Sequence, residues 1–251
     1  MGKATFTLVI FFLIFLFTYS ASAKVVGWWR FEEGQGKEVE DSSGNQLKAV
    51  VAEGNLKWEK ADLPSLVSDS TAAVEFDGKT SLEVKTDPLL DVLKITAEAW
   101  VKQKKISVYQ PIIFRATYVI NGSSQPGDFG GNGEIAYGYI SIGGQNIFAI
   151  GPKAGLPQNQ WIHVAITYDG NILLFWLNGK EVGKSEERKG KIDPGGVLYI
   201  GGRTGAAPDR HFIGLIDEVR ISDEALKPDQ FLLNVNPQGK LTTTWSKIKT
   251  Q

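Results

Sequence analysis

Residues 161–182 have the sequence WIHVAITYDGNILLFWLNGKEV, which contains two consecutive hairpin patterns. Asp169-Gly170 predicts a turn, and the apolar run at 172–177 predicts a strand buried on both faces. Asn178-Gly179 supplies the two left-handed positions of a type I′ hairpin turn. The stretch therefore predicts an antiparallel meander. Alternate residues of its first strand form the expected buried face: Ile162, Val164, Ile166 and Tyr168.

Short segments of the same kind recur along the chain, and helical periodicity is almost absent. Period-two alternation or apolar runs mark residues 25–33, 72–76, 95–102, 197–200 and 213–221. Many short strands separated by turn residues favour an all-β sandwich or jelly roll. In segment 95–102 the expected buried face is formed by Ile95, Ala97, Ala99 and Val101.

The N-terminus has the pattern of a secretory signal peptide. Lys3 is the only charge in the first 23 residues, an apolar run covers 6–17, and Ala21-Ser22-Ala23 is a cleavage-site pattern. That run is shorter than the roughly 20 residues that span a bilayer. We therefore expect a signal peptide at 1–23, a jelly-roll domain at 24–233 and a polar C-terminal tail at 234–251. The mature protein is expected to be secreted or extracytoplasmic, without a membrane span.

Composition narrows the possible chemistry. The chain has no cysteine, which excludes disulfides and thiolate metal sites, and only two histidines, which excludes a multi-histidine metal centre. Its formal net charge is −1, so there is no electrostatic reason to expect nucleic acid as a partner.

Several motifs together resemble the laminin-G-like (concanavalin A-like lectin/glucanase) family. The resemblance implies a jelly-roll sandwich of two antiparallel sheets, one concave, with ligand sites on that face or on loops at one end. The chain lacks the disulfide of many extracellular relatives. The motifs occur in the family's order, as WRFEEG (29–34), DSSGN (41–45), EFDG (75–78), WIHVA (161–165), YDG (168–170), LNGK (177–180), YIGG (199–202) and GLIDEVRI (214–221).

Asp217 is the best candidate for a metal ligand. Strict alternation in 213–221 places it on an apolar face, where an unpaired carboxylate would cost several kcal/mol. Either Ca²⁺ or hydrogen bonds from amides or an arginine such as Arg30 would compensate it. The resemblance implies structural calcium between an early loop and this aspartate, which adds Asp41 and Asn45 as expected ligands. Asp41 is equally compatible with a simple Asx turn.

Aromatic residues near a glycine-rich loop at 121–133 suggest a sugar site. Phe129, Tyr137 and Tyr139 lie in or just after this loop, and the two tyrosines share a strand face. The apolar face of a pyranose stacks on such rings, so we expect these three residues to bind ligand. The alternative is that the tyrosines pack within the sheet. Asn121-Gly122-Ser123 matches the N-glycosylation pattern.

Two histidines and a tryptophan have simpler expected roles. Trp161 and His163 share the less apolar face of their strand, where packing and a hydrogen bond to a neighbour are favoured over a sugar platform. His211 precedes a strand and is expected to be solvated in a loop.

No catalytic motif emerges. Glycoside hydrolases that share the fold carry a Glu-x-Asp-x-x-Glu pattern, and the segment from Glu134 lacks the later carboxylates. We therefore expect a secreted, non-catalytic module that binds carbohydrate or glycan. The first alternative is an extracellular adhesion or scaffold protein that contacts other proteins, and a polysaccharide hydrolase or lyase is less favoured. The expected partner is an extracellular glycan or a surface protein.

Overall fold

The computed structural model describes residues 23–63, 70–205 and 210–233. These residues form β-strands and three short 3₁₀ helices, at Pro88–Leu90, Asp128–Gly130 and Pro228–Gln230. The strands are β1 (Val25–Trp29), β2 (Glu38–Val39), β3 (Ala49–Glu53), β4 (Lys57–Lys60), β5 (Ala72–Asp77), β6 (Ser81–Val84), β7 (Ile95–Gln103), β8 (Pro111–Arg115), β9 (Tyr118–Asn121), β10 (Tyr137–Ile142), β11 (Gln145–Ile150), β12 (Ile162–Tyr168), β13 (Leu173–Leu177), β14 (Lys180–Lys184), β15 (Leu198–Ile200) and β16 (Ile213–Ser222). The predicted signal peptide, apart from Ala23, and the tail at 234–251 lie outside the described residues.

The strands form two antiparallel sheets. The first, called the β7 sheet, has the order β14-β13-β12-β7-β16-β5-β4, and β1 also pairs with β16. The second, called the β10 sheet, has the order β11-β10-β9-β8-β15-β6-β3-β2. The predicted all-β jelly-roll sandwich is therefore confirmed.

The predicted meander is formed by β12, β13 and β14. Asn178 and Gly179 have φ angles of 48° and 74°, as a type I′ turn requires. The predicted inward faces of β7 and β12 lie in the main core. The prediction that β13 is buried on both faces is wrong, because Leu174 and Trp176 on its outer face are only half-buried. This strand lies next to the edge strand β14, where the outer face is less completely covered.

The close approach of the two sheets determines which way β10 faces. Gly138 points into the core, and a Cβ atom at that position would collide with Ile166 Cγ2 of the opposite sheet. Because side chains alternate along a strand, Tyr137 and Tyr139 must lie on the outer face of the β10 sheet.

The strict alternation predicted for β16 is interrupted by a β-bulge at Glu218, which has a φ of 51°. Asp217 lies opposite Trp100, but Arg220 lies opposite Glu98, so β16 has one residue more than β7 here. The prediction that one apolar face continues through Asp217 is therefore wrong. Asp217 shares the outward face with Leu215, and only after the bulge do odd-numbered residues face the core. Those core residues are Val219 and Ile221.

Part of the outer face of the β7 sheet, around Glu98, is covered by the last described segment, 223–233. Glu98 is fully buried there and accepts hydrogen bonds from Arg220 Nε at 2.7 Å and from the Leu232 amide at 2.9 Å. Its other contact is His163 Nε2, at 2.8 Å. This face is therefore closed to ligands around Glu98.

Candidate ligand-binding groove

The outer face of the β10 sheet carries two rows of side chains set by strand register. In the first row, residues on β11, β10, β9, β8 and β15 lie side by side: Phe148, Tyr139, Val119, Phe114 and Tyr199. In the second row, Tyr137 lies beside Asn121, which in turn lies beside Pro111. Alternation and register thus gather distant parts of the chain on one surface.

A groove of about 320 Å³ lies over these rows. A volume of this order is sufficient for a small ligand. Its lining combines aromatic rings, amide groups and two guanidinium groups. The described lining residues are Tyr109, Pro111, Phe114, Asn121, Gln125, Tyr137, Tyr139, Arg203 and Arg210.

Asn121 is the most informative residue in the groove. Its side chain is 5% exposed, and its Nδ2 donates to Tyr137 Oη at 2.8 Å. Its Oδ1 is buried without a hydrogen-bond partner among the described residues. Buried polar atoms are usually paired, because an unpaired one costs about 1–3 kcal/mol. Among the described lining residues, this oxygen is the side-chain polar atom that is both buried and unpaired. The near-complete burial of Asn121 also opposes its use as a glycosylation acceptor in the folded domain.

The three predicted ligand residues come together, but with different roles. Tyr137 and Tyr139 line the groove. Phe129 lies behind it, with its ring centroid 5.1 Å from Tyr137 and 5.5 Å from Phe148. Phe129 therefore supports the wall of the groove and is not part of its lining. A ligand at these residues remains a prediction.

Two aromatic residues beside the groove have an uncommon backbone conformation. Tyr109 and Phe129 have φ angles of 49° and 53°, in the left-handed region that non-glycine residues seldom adopt. Such strain costs about 1–3 kcal/mol and tends to cluster at binding sites. The loops thus hold both rings in place at the expense of local stability.

The groove tyrosines keep their protons. Burial raises the pKa of Tyr137 well above its ordinary value. Burial also raises the pKa of Tyr139, although the positive charge of Arg203 opposes this effect. Both hydroxyls are therefore neutral near pH 7 and are able both to donate and to accept hydrogen bonds.

Sequence reasoning missed most of the remaining lining. Phe114 lies in a strand with period-two alternation, and Tyr109 lies in the turn before that strand. Only the pairing of β8 with β9 shows that both residues lie at the groove. The sequence indicates Asn121 only as the first residue of the glycine-rich loop and of a glycosylation pattern. Arg203 and Arg210 flank a loop before β16, and nothing in the local sequence indicates where their side chains lie.

The expected metal ligands Asp41 and Asn45 are engaged by the loop itself. The Asp41 carboxylate accepts hydrogen bonds from four groups: the amides of Trp28, Ser43 and Leu47, and the Ser43 hydroxyl, at 2.7–3.0 Å. Asn45 Nδ2 donates to the carbonyls of Val25 and Val26. This arrangement suits an Asx turn that ties the loop to β1.

Asp217, the third expected ligand, shares no hydrogen bond with that loop. It accepts from the Ser70 hydroxyl at 2.6 Å and from the Glu218 amide at 2.7 Å. Arg30 instead lies 3.5 Å from Glu218. Burial raises the pKa of Asp217 to about 8. In the described part of the chain, no group of three or more His, Cys, Asp or Glu side chains is arranged to hold a metal ion. The donor set thus favours satisfaction by protein groups, and calcium stays a prediction.

The two histidines are both buried. His163 contacts Glu98, in agreement with the expected hydrogen bond to a neighbour. The expectation that His211 is solvated is wrong. Its residue is 3% exposed and its Nε2 lies 3.0 Å from Glu53 Oε2. Gly202 leaves room for this ring, because a Cβ there would collide with it.

The chain belongs to the concanavalin A-like lectin/glucanase superfamily, whose family model matches residues 76–231. This match confirms the resemblance found in the sequence. A search of curated proteins gives no match to this sequence. Within the described residues, no helix is long and apolar enough to cross a membrane.

Solved structures show the same fold at low sequence identity. Domain 4 of AbnA, a GH43 extracellular arabinanase from Geobacillus stearothermophilus, in complex with arabinotriose, is 20% identical with a TM-score of 0.63, and the match covers 84% of this chain and 97% of that one. The binding domain of Paraclostridial Mosquitocidal Protein 1 is 12% identical with a TM-score of 0.60, over 84% and 51%. The binding domain of Botulinum Neurotoxin DC in complex with SialylT is 12% identical with a TM-score of 0.57, over 84% and 50%. The chain thus spans about half the length of these toxin binding domains.

Proposed function

We propose that this protein is a secreted, non-catalytic module that binds carbohydrate in the groove on the outer face of the β10 sheet. The observation that carries the proposal is Asn121 Oδ1, a buried acceptor without a described partner in a groove lined by aromatic rings. A sugar hydroxyl would supply the missing donor, while the rings of Tyr137 and Tyr139 would cover an apolar sugar face.

The composition of the groove supports binding without catalysis. Glycoside hydrolysis generally requires a pair of carboxylates across the scissile bond. The described lining contains tyrosine, phenylalanine, proline, amide and arginine residues, and none of these nine is Asp or Glu.

The similar solved structures support the same proposal. The AbnA domain is described in complex with arabinotriose, and the neurotoxin domain in complex with SialylT. The match covers 97% of the AbnA chain, so this fold has been seen in complex with a saccharide, arabinotriose. Because these proteins are 20% identical or less, the ligand of this chain has to be found by experiment.

The proposal also includes export of the protein from the cytoplasm. We infer that cleavage after Ala23 releases a domain at 24–233 with a polar tail at 234–251, and that the partner lies outside the cytoplasm. The absence of cysteine in an exported chain leaves stability to the core, which the two packed sheets provide.

The test is binding of the purified mature protein to immobilised oligosaccharides that include arabinotriose, followed by calorimetric titration of each hit. We expect Tyr139→Ala to weaken binding at least tenfold, because it removes a ring from the groove wall. Tyr199→Ala is the matched control, since Tyr199 lies on the same outer face but outside the groove lining. No saccharide binding across the panel, or equal loss in both variants, would overturn the proposal.

A second candidate is binding to a protein. Leu89 and Leu93 are large apolar residues that are 37% and 54% exposed, and both line a second concavity next to β1. Exposed apolar patches mark protein contacts. If the saccharide panel is silent, and Leu89→Ser with Leu93→Ser abolishes attachment of the mature protein to its native surface, this function replaces the first.

A further inference from the structure

We infer that the sugar bound in this groove carries an anionic group, a carboxylate or a sulfate, that is held by Arg203 and Arg210. The inference rests on the proposed function, because it names the chemical class of that same ligand. The inference is based on the position of two guanidinium groups beside the aromatic rows of the β10 sheet.

Both arginines are held over aromatic rings. Arg203 Cζ lies 5.0 Å from the ring centroid of Phe114, and Arg210 Cζ lies 4.9 Å from that of Tyr109. Both side chains are half-buried and line the groove. Stacking of this kind fixes the plane of a guanidinium group and leaves its N–H edge available to an acceptor.

Three of the four other arginines in the described structure form ion pairs, and the fourth, Arg188, is exposed and donates to Gln145. Arg30 pairs with Glu218, Arg115 with Asp91, and Arg220 with Glu98. Arg203 and Arg210 form no ion pair with a described residue. Two cations that line one groove without a described counter-ion favour an anionic ligand.

Among the described residues, Asp128 is a carboxylate close to the groove, and its single negative charge offsets only part of the charge of the two arginines. Burial and then Asp128 raise the pKa of Tyr109, and the Asp128 charge also contributes, after burial, to the raised pKa of Tyr137. Asp128 Oδ2 also accepts from the Gln125 amide at 3.2 Å. The described lining itself combines two arginines with no acidic side chain, so the charged side chains of the lining are all positive.

The chemical match is specific. A guanidinium group presents parallel N–H donors that fit the two oxygens of a carboxylate or of a sulfate. Tyr137 and Tyr139 on β10 would cover the sugar ring, and Asn121 would accept from a hydroxyl. A neutral saccharide would use the rings and the amide but would leave both cations without a partner.

The experiment compares oligosaccharides that share a backbone and differ only in charge. The panel presents neutral backbones alongside the same backbones bearing uronic carboxylates, sialic acids or sulfates. We expect binding to concentrate on anionic members, with at least a tenfold preference over the neutral counterpart, as charge-assisted hydrogen bonds provide. The carboxylate and sulfate arms identify which anion is held. Affinity for the anionic members should fall as NaCl is raised from about 20 to about 500 mM, because salt screens the attraction between the arginines and the anionic group.

Arg203→Gln and Arg210→Gln test the assignment to these side chains. Each should remove most of the preference for anionic members while leaving the weaker binding of neutral ones in place. Arg188→Gln is the matched control, since Arg188 is exposed and its side chain donates to Gln145, outside the groove lining. A thermal melt of each variant reports whether the fold is intact.

The outcomes separate the two proposals. Equal binding of neutral and anionic members, unchanged in Arg203→Gln and Arg210→Gln, overturns the anionic inference and leaves carbohydrate binding standing. A preference that is lost equally in Arg188→Gln also overturns it, because the charge would then act without a site. Silence across the whole panel overturns the proposed function, and the inference falls with it.

Discussion

Asn121 and Tyr137 face each other across β9 and β10, and Asn121 Nδ2 donates to Tyr137 Oη at 2.8 Å. Both residues are 5% exposed. The bond fixes the tyrosine ring at the bottom of the groove before any ligand arrives. A ring that is already oriented loses little rotamer freedom on binding, which favours affinity.

Tyr137→Phe should therefore reduce stability as well as binding. The change keeps the ring but leaves the Asn121 amide without its acceptor, at a cost of about 1–2 kcal/mol in the free energy of unfolding. Urea unfolding at pH 7 measures this difference. Tyr199→Phe is the control, because Tyr199 is half-buried and its hydroxyl has no hydrogen bond within the described structure. Equal effects of the two changes would contradict the role given to the Asn121–Tyr137 bond.

Gly138→Ala should be strongly destabilising. A Cβ there would collide with Ile166 Cγ2, so the two sheets would have to separate or Ile166 would have to change rotamer, at a cost of about 1–3 kcal/mol. Gly196→Ala is the matched control, since its Cβ would meet nothing within 4 Å. The difference in Tm between the two variants measures the effect. A neutral Gly138→Ala would show that the outward direction of Tyr137 and Tyr139 does not depend on this contact.

The sandwich was predictable because its strands repeat a period of two and end at turn residues. The pattern at 161–182 identified three consecutive strands, and the buried faces of β7 and β12 followed directly from alternation. The bulge at Glu218 was not predictable, because a residue with a side chain gives no local sign that it will adopt a left-handed φ. Because of this one extra residue, every residue of β16 after the bulge lies on the face opposite to the one that continuous alternation from Ile213 would give it.

The site was predictable only where it is local. Tyr137 and Tyr139 share one strand, so their common face follows from spacing alone. Arg203 and Asn121 lie more than 80 residues apart and meet only because β15 pairs with β8 and β8 pairs with β9. Strand order of that kind depends on long-range pairing, which no motif in a single sequence records. The same limit explains why His211 was expected in solvent and is instead buried beside Glu53.

Asp217 should make stability depend on pH. Burial raises its pKa to about 8 in the folded protein, so the folded state binds a proton that the unfolded state releases above about pH 4. Stability contributed by this group should therefore fall as pH rises from about 4 to about 8, by at most about 1.4 kcal/mol per unit. Asp217→Asn keeps the shape without the titration. Urea unfolding across this range should show a flatter profile for the variant and higher stability than the parent at pH 8.

The same variant decides the calcium prediction. If Ca²⁺ binds at Asp217, the parent should gain Tm with added calcium and lose it with chelator, whereas Asp217→Asn should respond to neither. Asp229→Asn is a control for the charge alone, because Asp229 is an exposed residue of the Pro228–Gln230 helix and is not one of the expected ligands. If calcium leaves the parent's Tm unchanged, the carboxylate is satisfied by Ser70 and the Glu218 amide, and the metal assignment to Asp41, Asn45 and Asp217 is withdrawn.

Glu98→Gln should be among the most damaging single changes outside the groove. One carboxylate oxygen accepts from Arg220, and the other accepts from the Leu232 amide and contacts His163. A glutamine would have to turn its NH₂ group toward one of these sets of donors. We expect a loss of about 3 kcal/mol or more in the free energy of unfolding, because a buried cation is left without its counter-charge.

The pH profile of Glu98→Gln distinguishes a lost charge from a lost shape. Burial alone would raise the pKa of Glu98, but the His163 hydrogen bond and the Arg220 charge outweigh it and hold the pKa below its ordinary value. The stabilisation is therefore present above the ordinary glutamate pKa of about 4.3 and is lost as pH falls through the lower folded value. The difference in the free energy of unfolding between the parent and Glu98→Gln, measured with urea, should accordingly become smaller below about pH 4. Glu181→Gln, at an exposed position on β14, should stay within about 0.5 kcal/mol of the parent throughout. A gap that does not change with pH would mean that packing, and not the carboxylate charge, holds segment 223–233 on the β7 sheet.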